Sequence, residues 1–257
     1  MTATETTTPT LMPYLVAQDA ARLIDFMQQT FGARELGRYN RPDGTIMHSA
    51  VVIGNSTIEL ADGNQQWPSR PVVLHVYVPD VDAVYARALA AGATSTHAPT
   101  DQPYGDRESG VNDPAGNQWY IATHKQGTSH VPEGLGTVTP YLHVHGADRL
   151  IEFLKQAFGA EEAGVYRSTE GGPIAHAKIR VGDSMLEISE AHGPYQPMPI
   201  GLHHYVRDAD AVYQRALQAG GVSKDPPSDK PYGERNATVE DPAGNQWFIA
   251  TKLPVRK

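Results

Sequence analysis

The chain is a tandem duplication, and that constrains its fold more than any other feature. Residues 71–124 and 199–252 superimpose at a constant offset of 128 without a gap, with 33 identities in 54 positions. Pro-Tyr-Gly-Asp-Arg at 103–107 returns as Pro-Tyr-Gly-Glu-Arg at 231–235, and Asp-Pro-Ala-Gly-Asn-Gln-Trp at 113–119 returns unchanged at 241–247. Upstream, Pro13-Tyr14-Leu15 matches Pro140-Tyr141-Leu142, Phe31-Gly32-Ala33 matches Phe158-Gly159-Ala160, and His48 and Glu59 match His176 and Glu187. Any architecture must therefore be built twice. Residues that agree between the copies answer to the fold or to a shared site, and residues that differ mark divergence.

At 257 residues the chain has room for two domains of about 120 residues, each large enough to bury a core. With 21 basic against 29 acidic residues the net charge is −8, and no basic run stands out, which argues against a nucleic-acid or anionic-membrane surface. The absence of cysteine excludes disulfides, thiolate catalysis and cysteine-ligated metals. The N-terminus lacks a hydrophobic signal core, and no apolar run approaches about 18 residues. A soluble, cytoplasmic protein is expected, with residues 1–9 as a disordered tail.

Each half reads as two modules of one pattern. Pro13–Ala17 is a strand candidate, and Asp19 can cap a helix whose Leu23, Ile24, Met27 and Phe31 recur at helical spacing before Gly32 ends it. Strands follow near 33–40, 46–53 and 56–62. The next stretch repeats the order: a strand at 72–78, a helix capped by Asp80 with Val84, Tyr85, Ala88 and Leu89 inward, then strands near 93–98, 106–112 and 117–123. The second half does the same twice. This predicts an α+β protein of four βαβββ modules paired into two curved-sheet domains, at 10–124 and 138–253, joined by a linker at 125–137.

The hairpin at 46–62 fixes which side chains share a face. Gly54-Asn55 is a two-residue turn signal, with Gly182-Asp183 in its place in the second half. If Ile53 pairs with Ser56, Ala50 faces Glu59 and His48 lies diagonal to it, while Val51, Ile53, Ile58 and Leu60 pack on the helix. The same register gathers His176, Lys178, Arg180 and Glu187. By alternation His75 and Tyr77, with their counterparts His203 and Tyr205, also face away from the helices, onto a concave wet surface. Trp119 and Trp247 fall on the core side, and Tyr120 and Phe248 on the cavity side. The Asp-Pro-Ala-Gly tract reads as a turn, Arg107 and Arg235 as partners of nearby acids, and His204 as a satisfied core histidine. His97, His124, His130, His145 and His192 have no repeated counterpart and receive no role.

Four such modules, Gly-Asp-Arg followed by Asp-Pro-Ala-Gly-Asn-Gln-Trp, and Ile46-Met47-His48 before a Gly-Asn hairpin resemble the vicinal oxygen chelate superfamily. This is the glyoxalase, bleomycin-resistance and extradiol-dioxygenase group, and the chain is most similar to its PhnB-like, glyoxalase-related members in a fused two-domain form. The resemblance covers about residues 11–124 and 138–252. It implies the fold and a small-molecule ligand or substrate, but no single activity, because the fold hosts metal lyases, epimerases, dioxygenases and metal-free drug-binding proteins.

The resemblance also implies where a metal would be held: on the first and fourth strands of each module. Carried onto this chain, the first-strand positions are Met12, Val73, Thr139 and Gly201, and the fourth-strand positions are Glu59, Tyr120, Glu187 and Phe248. Only the two glutamates suit a hard divalent cation. The two-His, one-Glu set of an extradiol dioxygenase would fall on Thr139, Gly201 and Phe248, which excludes that reading. A displaced divalent-metal site on His48, Glu59 and His75, repeated as His176, Glu187 and His203, is one expectation. The other is that these histidines are hydrogen-bonded lining residues, with no certain cofactor.

The halves then differ. Glu59 stands opposite Ala50, and an apolar setting would raise its pKa and make it a general base, with His48 or His75 as helper. Glu187 faces Lys178, with Arg180 on the same side. That is either a cross-strand salt bridge or part of an anion-binding set with His143. Two functions follow: a lyase, isomerase or epimerase moving a proton next to a carbonyl through Glu59, or a metal-free protein holding a drug-like or aromatic metabolite against Tyr77, Tyr120, Tyr205 and Phe248. Monomer and homodimer stay open, as does pairing of modules within or across the halves.

Overall fold

A computed structural model describes residues 9–254; most of the expected N-terminal tail, residues 1–8, lies outside them. The first module runs β1 (Leu11–Ala17), α1 (Ala20–Phe31), β2 (Arg34–Asn40), β3 (Ile46–Ile53) and β4 (Ser56–Asp62). The second is β5 (Val73–Tyr77), α2 (Val81–Ala90), β6 (Thr94–Asp101), β7 (Asp106–Asn112) and β8 (Gln118–His124). The third is β9 (Val138–Val144), α3 (Ala147–Phe158), β10 (Glu161–Arg167), β11 (Ile174–Val181) and β12 (Ser184–Glu190). The fourth is β13 (Gly201–Tyr205), α4 (Ala209–Gln218), β14 (Val222–Lys230), β15 (Glu234–Glu240) and β16 (Gln246–Lys252). Asp19 and Asp80 cap α1 and α2 by accepting from Arg22 N and Ala83 N. Leu89, expected inward, is exposed, because only Val81, Val84 and Ala88 of α2 reach the core. Among the described residues no helix is long and apolar enough to cross a membrane.

The sixteen strands form two eight-stranded sheets, and each sheet draws on both halves. The first has the order β14-β15-β16-β13-β1-β4-β3-β2 and the second β10-β11-β12-β9-β5-β8-β7-β6. Module one thus joins module four through antiparallel β1–β13, where Met12 faces His203 and Tyr14 faces Gly201. Module two joins module three through β5–β9, where His75 faces Thr139. No sheet closes within one half.

Reciprocal clamps hold this exchange. The β3–β4 turn of the first half catches the start of β9: Asn55 Oδ1 accepts from Thr137 N (2.8 Å) and Ser56 Oγ from Val138 N (2.9 Å). The β11–β12 turn returns the favour at β1, where Asp183 Oδ1 accepts from Thr10 N (2.8 Å) and Ser184 Oγ from Leu11 N (3.2 Å). Gly54 serves twice here. Its φ of 57° is left-handed, and a Cβ on it would lie 2.2 Å from Thr137 Oγ1.

The helices lie between the sheets. The α1 helix packs on β1, β3 and β4 of the first sheet and on α2, which in turn packs on β6, β7 and β8 of the second. Phe31 of α1 reaches Trp119 of β8 (ring centroids 4.8 Å apart), and Phe158 of α3 reaches Trp247 of β16 (4.4 Å). Both tryptophans are fully buried and donate from Nε1 to Asp113 and Asp241 (2.9 Å each), so the repeated Asp-Pro-Ala-Gly tract anchors the core as well as turning the chain. Arg107 and Arg235 are paired as expected, with Asp82 and Asp101 and with Asp210 and Asp229.

His204 lies in the core against Phe158 (5.0 Å) but is not the satisfied histidine expected, since its Nδ1 has no hydrogen-bond partner. Burial and neighbouring His203 push its pKa down to about 4. The unfolded chain therefore takes up the proton first, and stability falls as pH drops from about 6.5 towards 4. His204→Val, the residue the first half carries at this place (Val76), should raise stability by about 1–2 kcal/mol at pH 7 by removing the unpaired polar atom. The gain should widen at pH 5 in denaturant titrations.

Candidate functional site

The face of the first sheet turned away from the helices carries a histidine between two carboxylates. Glu59 on β4 and His203 on β13 lie on either side of β1. The His203 Nδ1–H donates to Glu59 Oε2 at 2.5 Å, while His48 Nε2 on β3 stands 3.6 Å from Glu59 Oε1. Burial favours the protonated acid, but the hydrogen bonds and charge of His203 and His48 outweigh it, bringing the Glu59 pKa down to about 2. Beyond the ring, His203 Nε2 has no partner and looks across 3.7 Å at Glu234 Oε2 on β15, also without one. Glu234 Oε1 accepts the Tyr205 hydroxyl at 2.7 Å, and the Tyr205 ring stacks on His203 with centroids 4.4 Å apart.

The same row of the second sheet is built from β5, β12 and β7. His75 Nδ1 donates to Glu187 Oε2 (2.8 Å), and His176 Nε2 bonds Glu187 Oε1 (3.2 Å). Glu187 is 1% exposed, and His75 is also buried. Desolvation opposes both charges, yet the two charges hold the Glu187 pKa below and the His75 pKa above their ordinary values, as for an ion pair. His75 Nε2 faces Glu108 Oε2 at 3.6 Å, and that oxygen also accepts from Tyr104 Oη (3.3 Å). This cup is filled from within by Tyr77, Tyr120, Tyr141 and His143. Leu135 and Val131, from the segment between the halves, pack with Tyr77, Ala122 and Met185 at its edge. A chain unique to this cup links Tyr120 Oη to His143 Nε2 (2.9 Å) and His143 Nδ1 to Ser189 Oγ (2.7 Å). Burial, with His192 nearby, pushes His143 down to about 4, so the ring is neutral at pH 7.

Exchange of the modules regroups the expected site residues. The sets His48–Glu59–His75 and His176–Glu187–His203 do not form; the histidines trade places, giving His48–Glu59–His203 and His176–Glu187–His75. Glu59 is not an uncompensated base of raised pKa, because the second half supplies it with His203. Lys178 faces Glu187 in register, but no ion pair joins them among the described residues, since the carboxylate turns to His75 and His176. Arg180 faces Met185, and neutral His143 is bonded to Ser189 and Tyr120, so the three do not form a cationic cradle. Tyr120 is tied to His143, whereas Phe248 keeps its place on the first sheet's cavity side, against Tyr14 (5.0 Å) and Trp67 (5.8 Å). Glu108 and Glu234 were missed. Alternation along β7 and β15 places Asp106 and Glu108, like Glu234 and Asn236, on the cavity face, and was the available signal.

Beside the dyad of the first sheet a cleft of about 380 Å³, open to solvent, is lined by Tyr14, Trp67, Arg70, Ile200, Gly201 and Gln246 among others. Gly201 lets β13 approach β1 here: a Cβ would come within 2.6 Å of the Tyr14 carbonyl oxygen.

Residues 8–121 and 135–249 each match the model of the Glyoxalase/Bleomycin resistance protein/Dioxygenase superfamily. The chain belongs to this superfamily. Uncharacterized proteins of Mycobacterium bovis and Mycobacterium tuberculosis are 44% identical over 124 residues, 44% of this chain and 82% and 73% of theirs. Glyoxalase I from Zea mays shares the fold at 16% identity, with a TM-score of 0.71 over 94% of this chain and 92% of that one. A putative dioxygenase from Bacillus subtilis does so at 14% identity, with a TM-score of 0.61 over 95% and 84%.

The donor set of this superfamily member does not fit the metal its relatives imply. Among the described residues no group of three or more His, Asp or Glu side chains converges to hold an ion. Met12 and Gly201 offer no hard donor, and both oxygens of Glu59 are turned to imidazole nitrogens. The dyads also predict an acid limb of stability. Because Glu59 titrates near 2 when folded and near 4.5 when unfolded, its contribution, up to about 3 kcal/mol, is present above pH 4.5 and lost as pH falls towards 2. Glu59→Gln should flatten that limb in urea titrations between pH 5 and 2.5.

Proposed function

We propose that the chain is a small-molecule enzyme of the lyase, isomerase or epimerase kind, moving a proton next to a carbonyl in the cup of the first sheet. His203 is its base. Glu59 holds the Nδ1–H tautomer, which leaves the Nε2 lone pair facing the cavity, and the ionised carboxylate stabilises the imidazolium that forms on proton uptake. Glu59 is thus a positioning residue. Tyr14, Trp67 and Phe248 supply a flat apolar wall that orients the substrate and keeps water off the reacting carbon. No step is routed through a metal. The observation that carries this reading is the buried, unpartnered His203 Nε2 beside a carboxylate-bound Nδ1.

The test is solvent exchange. Hydroxyacetone incubated with the protein in deuterium oxide should lose its methylene proton signal faster than in buffer, and His203→Gln should return the rate to background. The same aromatic wall supports a second reading, a binding protein that sequesters a flat metabolite. Saturable binding of aromatic ligands without exchange for any carbonyl compound tried would favour it.

A further inference from the structure

We infer that the cup of the first sheet takes its ligand by a protonated amine, seated between His203 Nε2 and Glu234 Oε2 with an apolar body along the aromatic wall. This rests on the reading of that cup as the working site and adds the ligand's chemical class. The two atoms belong to side chains 7% and 9% exposed, lie 3.7 Å apart, and are both without a partner. Glu59 accepts the Nδ1–H, so Nε2 presents a lone pair, and Glu234, already accepting from Tyr205, presents a second. Two facing acceptors leave a gap that only a donor of at least two hydrogens closes. A ligand atom at the apex of that pair reaches both at hydrogen-bond distance.

An ammonium group has three donors and no acceptor; a hydroxyl has one donor and leaves one oxygen or nitrogen unsatisfied; a carboxylate has none and is repelled. The surroundings agree. Glu59 and Glu234 place two carboxylates at the floor, partly balanced by Lys252, which stands opposite Glu234 and 5.1 Å above the Tyr205 ring. The Tyr205 and Phe248 rings offer faces to a cation. The second sheet leaves no such gap, because the matching oxygen of Glu108 accepts from Tyr104. Tyr232, the counterpart of Tyr104, makes no hydrogen bond to Glu234 Oε2.

Benzylamine, protonated at pH 7, is the probe, compared with benzyl alcohol and phenylacetate by calorimetry on the full chain. Benzylamine should bind at least tenfold more tightly than benzyl alcohol, and phenylacetate not at all. Glu234→Gln should weaken benzylamine at least tenfold, while Glu108→Gln, in the other cup, leaves it unchanged. If Glu234→Gln fails to fold, His203→Gln should show the same loss. Equal affinity for amine and alcohol, or a folded Glu234→Gln that binds benzylamine as before, overturns the inference. Proton exchange without amine binding sinks this inference alone, and amine binding without exchange sinks only the proposed reaction.

Discussion

Glu187→Gln is expected to destabilise the chain by about 3–5 kcal/mol, the scale of removing one partner from a buried ion pair. Glu187 is almost wholly enclosed and answers two rings, His75 from the first half and His176 from its own. An amide keeps the shape but not the charge, so a buried imidazolium loses its counter-ion and the sheet loses a link between modules two and three. Thermal and urea unfolding should both report the loss. His75→Gln in the same background should restore part of it, because the stranded charge is then gone. A change below about 1 kcal/mol would mean that His75 is neutral and the pair an ordinary hydrogen bond.

The second large effect is on chemistry. His203→Gln is expected to lower proton exchange by about 10²–10⁴-fold with little change in stability, the usual contribution of a placed general base. Glu59→Gln should approach the same loss by another route. Without the carboxylate the ring no longer has a preferred tautomer, and the form with hydrogen on Nε2 cannot take a proton. The two losses should not add, since both remove one lone pair from one place. The pH profile separates them: it should shift in Glu59→Gln, whereas His203→Gln leaves only a flat background.

Much of this architecture is written in the chain. The duplication, the Asp19 and Asp80 caps, the period-two alternation and the Gly54-Asn55 turn give the four modules and place Ala50 opposite Glu59, as the sheet has them. What they do not give is which module neighbours which. The β5 and β13 strands share Leu-His-x-Tyr, so either presents β1 with an equivalent edge. Backbone hydrogen bonds do not discriminate between near-identical strands. The choice falls to Asn55, Ser56, Asp183 and Ser184, which read from sequence as ordinary turn residues but reach across to the other half.

The histidine partners follow from that choice, which is why each expected triad had the right residue types and the wrong half. Glu234 was hidden differently. Its counterpart Asp106 is a carbon shorter and turns instead to Tyr77 and His124. The acid that faces His75 stands two residues on, at Glu108, where the second half has Asn236. Matching the copies position by position therefore conceals that each cup supplies an acid to its histidine from a different place.

The central claim is that each dyad is assembled across the halves, and double-mutant cycles test it most directly. Unfolding free energies for Glu59→Gln, His203→Gln and His75→Gln, singly and in pairs, give two coupling energies. The account predicts coupling above about 1 kcal/mol between Glu59 and His203, and additivity within about 0.5 kcal/mol between Glu59 and His75, which lie in different sheets. Coupling of Glu59 to His75, with none to His203, would contradict it.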